Sequence, residues 1–533
     1  MSSAELVIGV DVGTGSARAG VFTARGRLLG RGEHPIAMHQ PLHDHAEHDS
    51  EDIWAAVGKA VRQALSNAKA KPEAIAGISF DATCSLVVRD RDARPLSVST
   101  TGDNRWDTIV WLDHRALAEA GECTATKHKV LDYIGGVMSP EMETPKLMWL
   151  KRHFPDRWAQ AGYFFDLADY LTWRATGSLE RSQCTLACKW TYLGHGKEPW
   201  HQDYLDMIGI GDMRERGALP AQASPIGKRL GGLTEQAGAD LGLTSATQVG
   251  VGLLDAHAGA LGVLASYAGD GGEIERHLAL IAGTSSCVMA LSAAAKPVPG
   301  IWGPYFGALL PEMWLNEGGQ SASGALLDHI IRVHSAGVTA DTATHQRIIA
   351  RIMVLRESEG LDLAGRLQVL PDFHGNRSPL ADPQAVGVIS GLTLDASFDS
   401  LCRLYWRTCV AIALGVRHVL DALNAKGYII DTLHVTGGHT KNALLMELYA
   451  DATGSTVVEP AAEDAVLLGT AMVAATAAGK FSGLPAAARA MQQGGREHKP
   501  NAKARSRFDR DYAVFLRMHQ QRAELDALLN SRS

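Results

Sequence analysis

Residues 8–22 read IGVDVGTGSARAGVF. An apolar run enters Asp11, and Gly13, Thr14, Gly15 and Ser16 come at once after it. A Gly-rich turn after a strand is a device for holding an anion on backbone N–H groups. Two known versions do not fit. The dinucleotide pattern G-x-G-x-x-G meets Arg18 at its third position, and the Walker pattern needs a Lys that is absent. Beyond the bend the chain reads as another strand over 19–23, a turn at 24–27 and a third strand from Leu28. The glycines therefore join two strands of a hairpin. A phosphate would sit in the bend, with a metal ion held by the neighbouring carboxylate. An ordinary hairpin with an edge Asp is the alternative.

The chain has 533 residues, too many for one core, so two to four domains are expected. Apolar residues make up 46% and charged residues 20%, the balance of a soluble globular protein. The formal net charge is -7 with no basic block, which argues against nucleic acid as a partner. No apolar run reaches the roughly 18 residues of a membrane span. The opening MSSAELVIGVDVG lacks a signal-peptide pattern, so a cytoplasmic location is expected. Seven cysteines are scattered without C-x-x-C spacing and read as reduced, mostly packed thiols, with a metal site from Cys184 and Cys188 as the lesser alternative. His34, His39, His43, His45 and His48 match no metal template and read as a solvated loop.

Strands and helices alternate, which predicts an α/β protein. Helices are expected over 51–68, toward the end of 138–153 and over 163–176. Strands are expected over 74–80 and 249–253, with a small-residue helix from Ala256. Residues 267–273, YAGDGGE, read as a linker and hinge. Beyond it the opening returns: HLALIAGTSSCVMALS repeats strand, Gly-Thr-x-Ser bend and strand. Gly283, Thr284 and Ser286 align with Gly13, Thr14 and Ser16, while Asp11 falls on Ile281. Two related halves, each with one phosphate bend, would clamp a nucleotide from both sides. Later TGGHTKN reads as strand, Gly-Gly turn and helix. Gly437 and Gly438 leave room for a flat ligand, and Asn442 sits one turn into the helix. A plain helix cap at Asn442 is the alternative. Residues 505–529 read as one closing helix.

The order of DVGTGSARAG, GLLDAHAGALG, GTSS, NEGGQSASG and TGGHTKN resembles the FGGY carbohydrate kinases. FDATCS, WLDHRA, MSPEMETPK, RSQCTLACKWTYL and PDFHGNRSPLADP are similar to the ribulokinase branch, D-ribulose kinases in particular. The resemblance implies an actin-like, ribonuclease H-like sugar-kinase fold of two domains with a cleft between them. It implies an N-terminal domain over 1–265, a nucleotide-binding domain over 266–490 and a helical tail over 491–533. It implies ATP and Mg2+, a pentulose substrate and a homodimer. D-ribulose is the expected sugar, with L-ribulose, xylulose and ribitol as alternatives and a nucleotide-operated chaperone or filament protein and an inactive sugar sensor as rivals of other classes.

Position by position, the resemblance makes Asp255 the general base and Asp11 the carboxylate near the metal. Gly13, Thr14, Ser16 and Arg18 match the first phosphate bend, and Gly283 and Thr284 the second. Gly324 and Asp328 match a segment beside the nucleotide, and Gly437, Gly438 and Asn442 the adenosine site. Asp81, Ala82, Glu141, Lys189 and Glu317 match the surroundings of the sugar. Ala256 and His257 come after the base where glycerol and xylulose kinases place Gln-Gln or Gln-Cys, which favours the ribulokinase branch. His257 is expected to pack or to line the pocket wall.

Overall fold

A computed structural model of the chain describes residues 5–269 and 273–530. Asp270, Gly271 and Gly272 of the expected linker lie outside the described residues. Contacts divide the chain into two compact units. One comprises Met1–Ile274, Leu291–Asn316 and Ala462–Gly494; the other comprises Glu275–Ala290, Glu317–Ala461 and Gly495–Ser533.

The first unit grows from the opening hairpin. Strands Leu6–Val12, Ser16–Thr23 and Leu28–Pro35 pair antiparallel in sequence order. Ile75–Ala82 then joins Leu6–Val12 in parallel, with Gln248–Gly250 and Arg229–Gly232 beyond it. Helix Ser50–Ala68 starts where the Asp49 carboxylate accepts from Glu51 N at 2.9 Å and Asp52 N at 3.2 Å. It lies directly on the hairpin, because a Cβ at Gly32 would stand 2.1 Å from Ala60 O. Helix Ala465–Ala477 approaches equally closely at Gly9, where a Cβ would meet Leu467 O at 2.3 Å. Val10, Ile78, Phe80 and Trp54 fill the core between these layers. Residues 163–176 differ from the sequence reading. Strand Ala161–Asp166 comes first, and the helix is only Leu167–Thr176, begun by an Asp166 cap on Ala168 N.

The second unit is built on a mixed sheet with strands in the order Trp314–Gln320, Ser286–Ser292, His277–Ala282, Thr432–Thr436, Thr456–Pro460, Gly495–His498. Its core helix, Phe398–Asn424, is 27 residues long and buried along most of one side. The segment expected as a helical tail opens with strand Gly495–His498, antiparallel to Thr456–Pro460, before helix Arg505–Asn530. Among the described residues no helix is long and apolar enough to cross a membrane.

Candidate active site

Parallel pairing aligns the ends of three strands. Asp11 is the register partner of Asp81, and Leu253 and Leu254 stand opposite Asp81 and Ala82. Asp255 comes next after Leu254, as the first residue of helix Asp255–Leu264. Carboxyl ends of neighbouring parallel strands are where α/β sheets bind ligands, and here three carboxylates gather there. Arg18, antiparallel partner of Asp11, is ion-paired to it, and its other nitrogen stands 3.8 Å from Asp464. Thr470 donates to Asp81 Oδ2. Burial pushes the Asp11 carboxyl up to about 7; Arg18 pulls it down, while Asp255 and Asp464 push it further up. Asp81 is driven well above the carboxylate range, first by burial and then by Asp11. Asp11 Oδ1 and Asp81 Oδ1 are buried and accept no hydrogen bond. Buried carboxylate oxygens without donors fit a hard divalent cation, which binds through oxygen.

The bend beside them is braced from residues distant in sequence. Gly13 N donates to Ser16 O at 3.0 Å, and Trp111 Nε1 donates to Thr14 Oγ1 at 2.9 Å. Ser16 Oγ donates to Glu33 Oε1 at 3.0 Å. His48 is buried, and burial holds it down to about 4, so it is neutral. A Cβ at Gly15 would meet nothing within 4 Å, so the tip of the bend stands open.

Among the expected sugar residues of this unit, Ala82 ends its strand fully buried, and Lys189 is buried with its ammonium 4.5 Å from the centre of the Trp302 ring. Glu141 is half-buried in the turn before helix Glu143–His153, and its carbonyl accepts from Lys146 Nζ at 3.2 Å. The stronger groups in that segment are ones the sequence reading passed over. Glu143 and Lys146 are fully buried, 3.8 Å apart. Burial drives the Glu143 carboxyl up to about 7 against the pull of Lys146 and Lys189. Both Glu143 oxygens, and Asp166 Oδ2, are buried and accept no hydrogen bond. The available signal was the Glu143/Lys146 spacing of three at a helix start. Glu317 belongs to the second unit, buried in strand Trp314–Gln320.

In the second unit the bend at Gly283 and Thr284 is sealed by backbone. Gly283 N donates to Ser285 O at 2.8 Å. Gly324 N donates to Gly283 O at 3.0 Å, and Ala325 N to Thr284 O at 3.1 Å, at the start of helix Gly324–Val333. Gly437 has φ +90°, and a Cβ there would stand 2.5 Å from Ala282 O. Gly438 opens a single 3-10 turn, Gly438–Lys441, which delays the α-helix to Ala443. Asn442 is therefore not one turn inside the helix. It is the cap, its Oδ1 accepting from Leu444 N at 3.1 Å, while its Nδ2 faces Tyr405 Oη at 3.5 Å. Asp328 pairs with His345 Nε2 at 2.8 Å, and His345 Nδ1 meets Tyr405 Oη at 2.9 Å. One polar chain thus runs Asp328–His345–Tyr405–Asn442.

One histidine reading changes. His45 and His48 are buried, not solvated, and His39 stacks on Trp106 at 4.4 Å; their segment pairs through strand Glu47–His48 with Thr108–Ile109. His257 packs as expected, but against sulfur: Cys188 Sγ is 3.3 Å from its Nε2.

The comparisons agree with this architecture. Residues 6–262 match the model of the FGGY family of carbohydrate kinases, N-terminal domain, and residues 278–478 match that of its C-terminal domain. An FGGY carbohydrate kinase domain-containing protein of Danio rerio is 44% identical, covering 98% of both chains. A D-ribulokinase of Saccharomyces cerevisiae is 36% identical over 90% of this chain and 72% of its own. The crystal structure of xylulose kinase from Rhodospirillum rubrum superposes with TM-score 0.77 at 22% identity, covering 98% of this chain and 99% of that one, so the fold is that of the sugar kinases. The chain belongs to the FGGY family of carbohydrate kinases and is an ATP-dependent enzyme of that family.

Proposed function

We propose that the protein phosphorylates a ketopentose, converting D-ribulose and ATP to D-ribulose 5-phosphate and ADP. The observation that carries the choice of sugar is the 36% identity to the yeast D-ribulokinase. In this reading the segment 1–265 holds the sugar and the first phosphate bend, 266–490 holds the nucleotide, and 491–533 closes the second domain. A cytoplasmic homodimer completes the proposal.

Asp255 is the general base. Its place in the first turn of a helix favours the ionised form, and it takes the proton of the attacking sugar hydroxyl. Asp11, with Asp81 beside it, would hold Mg2+, and such an ion would supply the charge neutralisation that phosphoryl transfer needs more than covalent help. Gly13, Thr14, Ser16 and Arg18 are phosphate-binding residues of the first unit, and Gly283 and Thr284 those of the second. Gly324, Asp328, Gly437, Gly438 and Asn442 form the nucleotide wall, with Asn442 presenting its amide nitrogen because its oxygen caps a helix. Asp81, Ala82, Glu141, Lys189 and Glu317 surround the sugar, and Glu143 joins them: sugar hydroxyls are the donors its buried carboxylate lacks.

A coupled ADP assay with Mg-ATP across both ribuloses, both xyluloses, ribitol, arabinitol and glycerol tests this. The expected outcome is ADP release on sugar addition, with the highest kcat/KM for D-ribulose. A higher value for L-ribulose, a xylulose or ribitol reassigns the sugar. No ADP with any sugar points to a sensor, and ADP without sugar to a nucleotide-driven chaperone.

A further inference from the structure

Helix Gln183–Lys189 begins at a Ser182 cap whose Oγ accepts from Cys184 N at 3.1 Å. Cys184 and Cys188, four residues apart, fall on one face of it. His257 reaches the same point from the first turn of helix Asp255–Leu264. The two sulfurs and a ring nitrogen all lie within 4.8 Å of one another, and all three side chains are fully buried. It is the one group of three or more His, Cys, Asp or Glu residues with this spacing among the described residues.

We propose that Cys184, Cys188 and His257 form a binding site for a soft divalent ion of the zinc class. Zinc binds thiolate at about 2.3 Å and imidazole at about 2.0–2.1 Å, so a tetrahedral site sets sulfur and nitrogen about 3.5 Å apart and two sulfurs about 3.8 Å apart. The observed 3.3 Å between Cys188 Sγ and His257 Nε2 matches the first edge, and the 4.8 Å limit accommodates the second after small rotamer changes. Three protein ligands leave the fourth position to water. Thiolate and imidazole select zinc over magnesium, so this site and the carboxylate cluster at Asp11 sort different ions. An occupied site ties the helix that ends at Lys189 to the helix that begins at Asp255.

Because the site is buried, the metal is loaded while the chain folds. The full-length protein is expressed in zinc- or cobalt-supplemented medium and dialysed against a weak chelator. We expect one metal ion per chain and, for cobalt, a thiolate-to-metal charge-transfer band. Both disappear in the double variant Cys184→Ala/Cys188→Ala. A metal-free wild type, or a band that survives in the variant, overturns the proposal. Should the variant fail to fold, X-ray absorption on zinc-loaded wild type decides. Two sulfur neighbours at about 2.3 Å are expected, and a shell of oxygen and nitrogen alone, or no bound zinc, refutes the site.

Discussion

The two hairpin bends share the Gly-Thr-x-Ser pattern and are built differently. In the first, Asp11 pairs with Arg18 and Val12 with Ala17. In the second, Ile281 pairs with Cys287 and Ala282 with Ser286. Aligned on the glycines, the second hairpin closes one residue tighter. Since a one-residue slip moves side chains to the other face of a sheet, Val288 is not the register partner of Ile281 as Arg18 is of Asp11. The first bend is held by side chains and charge: Trp111 on Thr14, Arg18 on Asp11. The second is held by backbone at close quarters, through Gly324 and Gly437. One bend lies beside a cluster of buried charge, and the other is walled by closely packed backbone.

The largest effect expected is at the carboxylates beside the first bend. Asp255→Ala should lower kcat by 10²–10⁴-fold, the usual loss for a positioned base, with the Kd for nucleotide nearly unchanged by calorimetry. A variant that retains more than about a third of wild-type kcat would remove Asp255 from the role of base, since loss of one costs at least about 10². Next, Asp11→Asn should raise the Mg2+ concentration needed for half-maximal activity and leave sugar binding intact. An unchanged Mg2+ titration contradicts the metal assignment.

Glycine substitutions separate the bends more finely. A Cβ at Gly324 would stand 2.6 Å from Gly283 O, a backbone atom that cannot rotate away. Gly324→Ala should cost about 1–3 kcal/mol of stability and weaken nucleotide binding while sugar binding holds. Gly15→Ala, with nothing within 4 Å, should change stability by less than about 0.5 kcal/mol in denaturant titration. Equal costs at the two glycines would erase the contrast.

The smallest effect is in pH, and its sign differs between the bends. Burial holds His439, whose Nε2 lies 3.6 Å from where a Cβ at Gly324 would stand, down from 6.5 to about 4. Its contribution to stability is whole above 6.5 and is lost as pH falls through about 4. The Asp11 carboxyl is raised from 3.8 to about 7, so its contribution is whole below 3.8 and is lost as pH rises through about 7. Between pH 7 and 4.5, amide protection factors should fall at 282–285 and rise at 11–13. Movement in the same direction at both bends would contradict these assignments.

Much of this was legible in the sequence because it is local. Strand, bend and strand are read from glycine spacing and apolar runs, as are helix Ser50–Ala68 and the place of Asp255 at a helix start. The resemblance supplied residues that no spacing rule singles out, such as Lys189. What was missed is tertiary or a matter of register. Trp111, Asp464 and Thr470 reach the first bend and its carboxylates from far along the chain. No change of composition marks the return of Leu291–Asn316 and Ala462–Gly494 to the first unit. Glu143 was hidden behind Glu141 because burial, not residue type, separates two glutamates two positions apart. Asn442 slipped because the 3-10 turn after Gly437 consumes the residues that were read as helix.

The division between the bends is tested most directly by hydrogen exchange on the wild-type enzyme with D-ribulose alone and with a non-hydrolysable ATP analogue alone. The account predicts that the sugar protects 82–85, 141–146 and 183–190, and that the nucleotide analogue protects 283–285 and 437–442. Protection of 283–285 and 437–442 by the sugar alone, or an ATP analogue that leaves them unchanged, would contradict it.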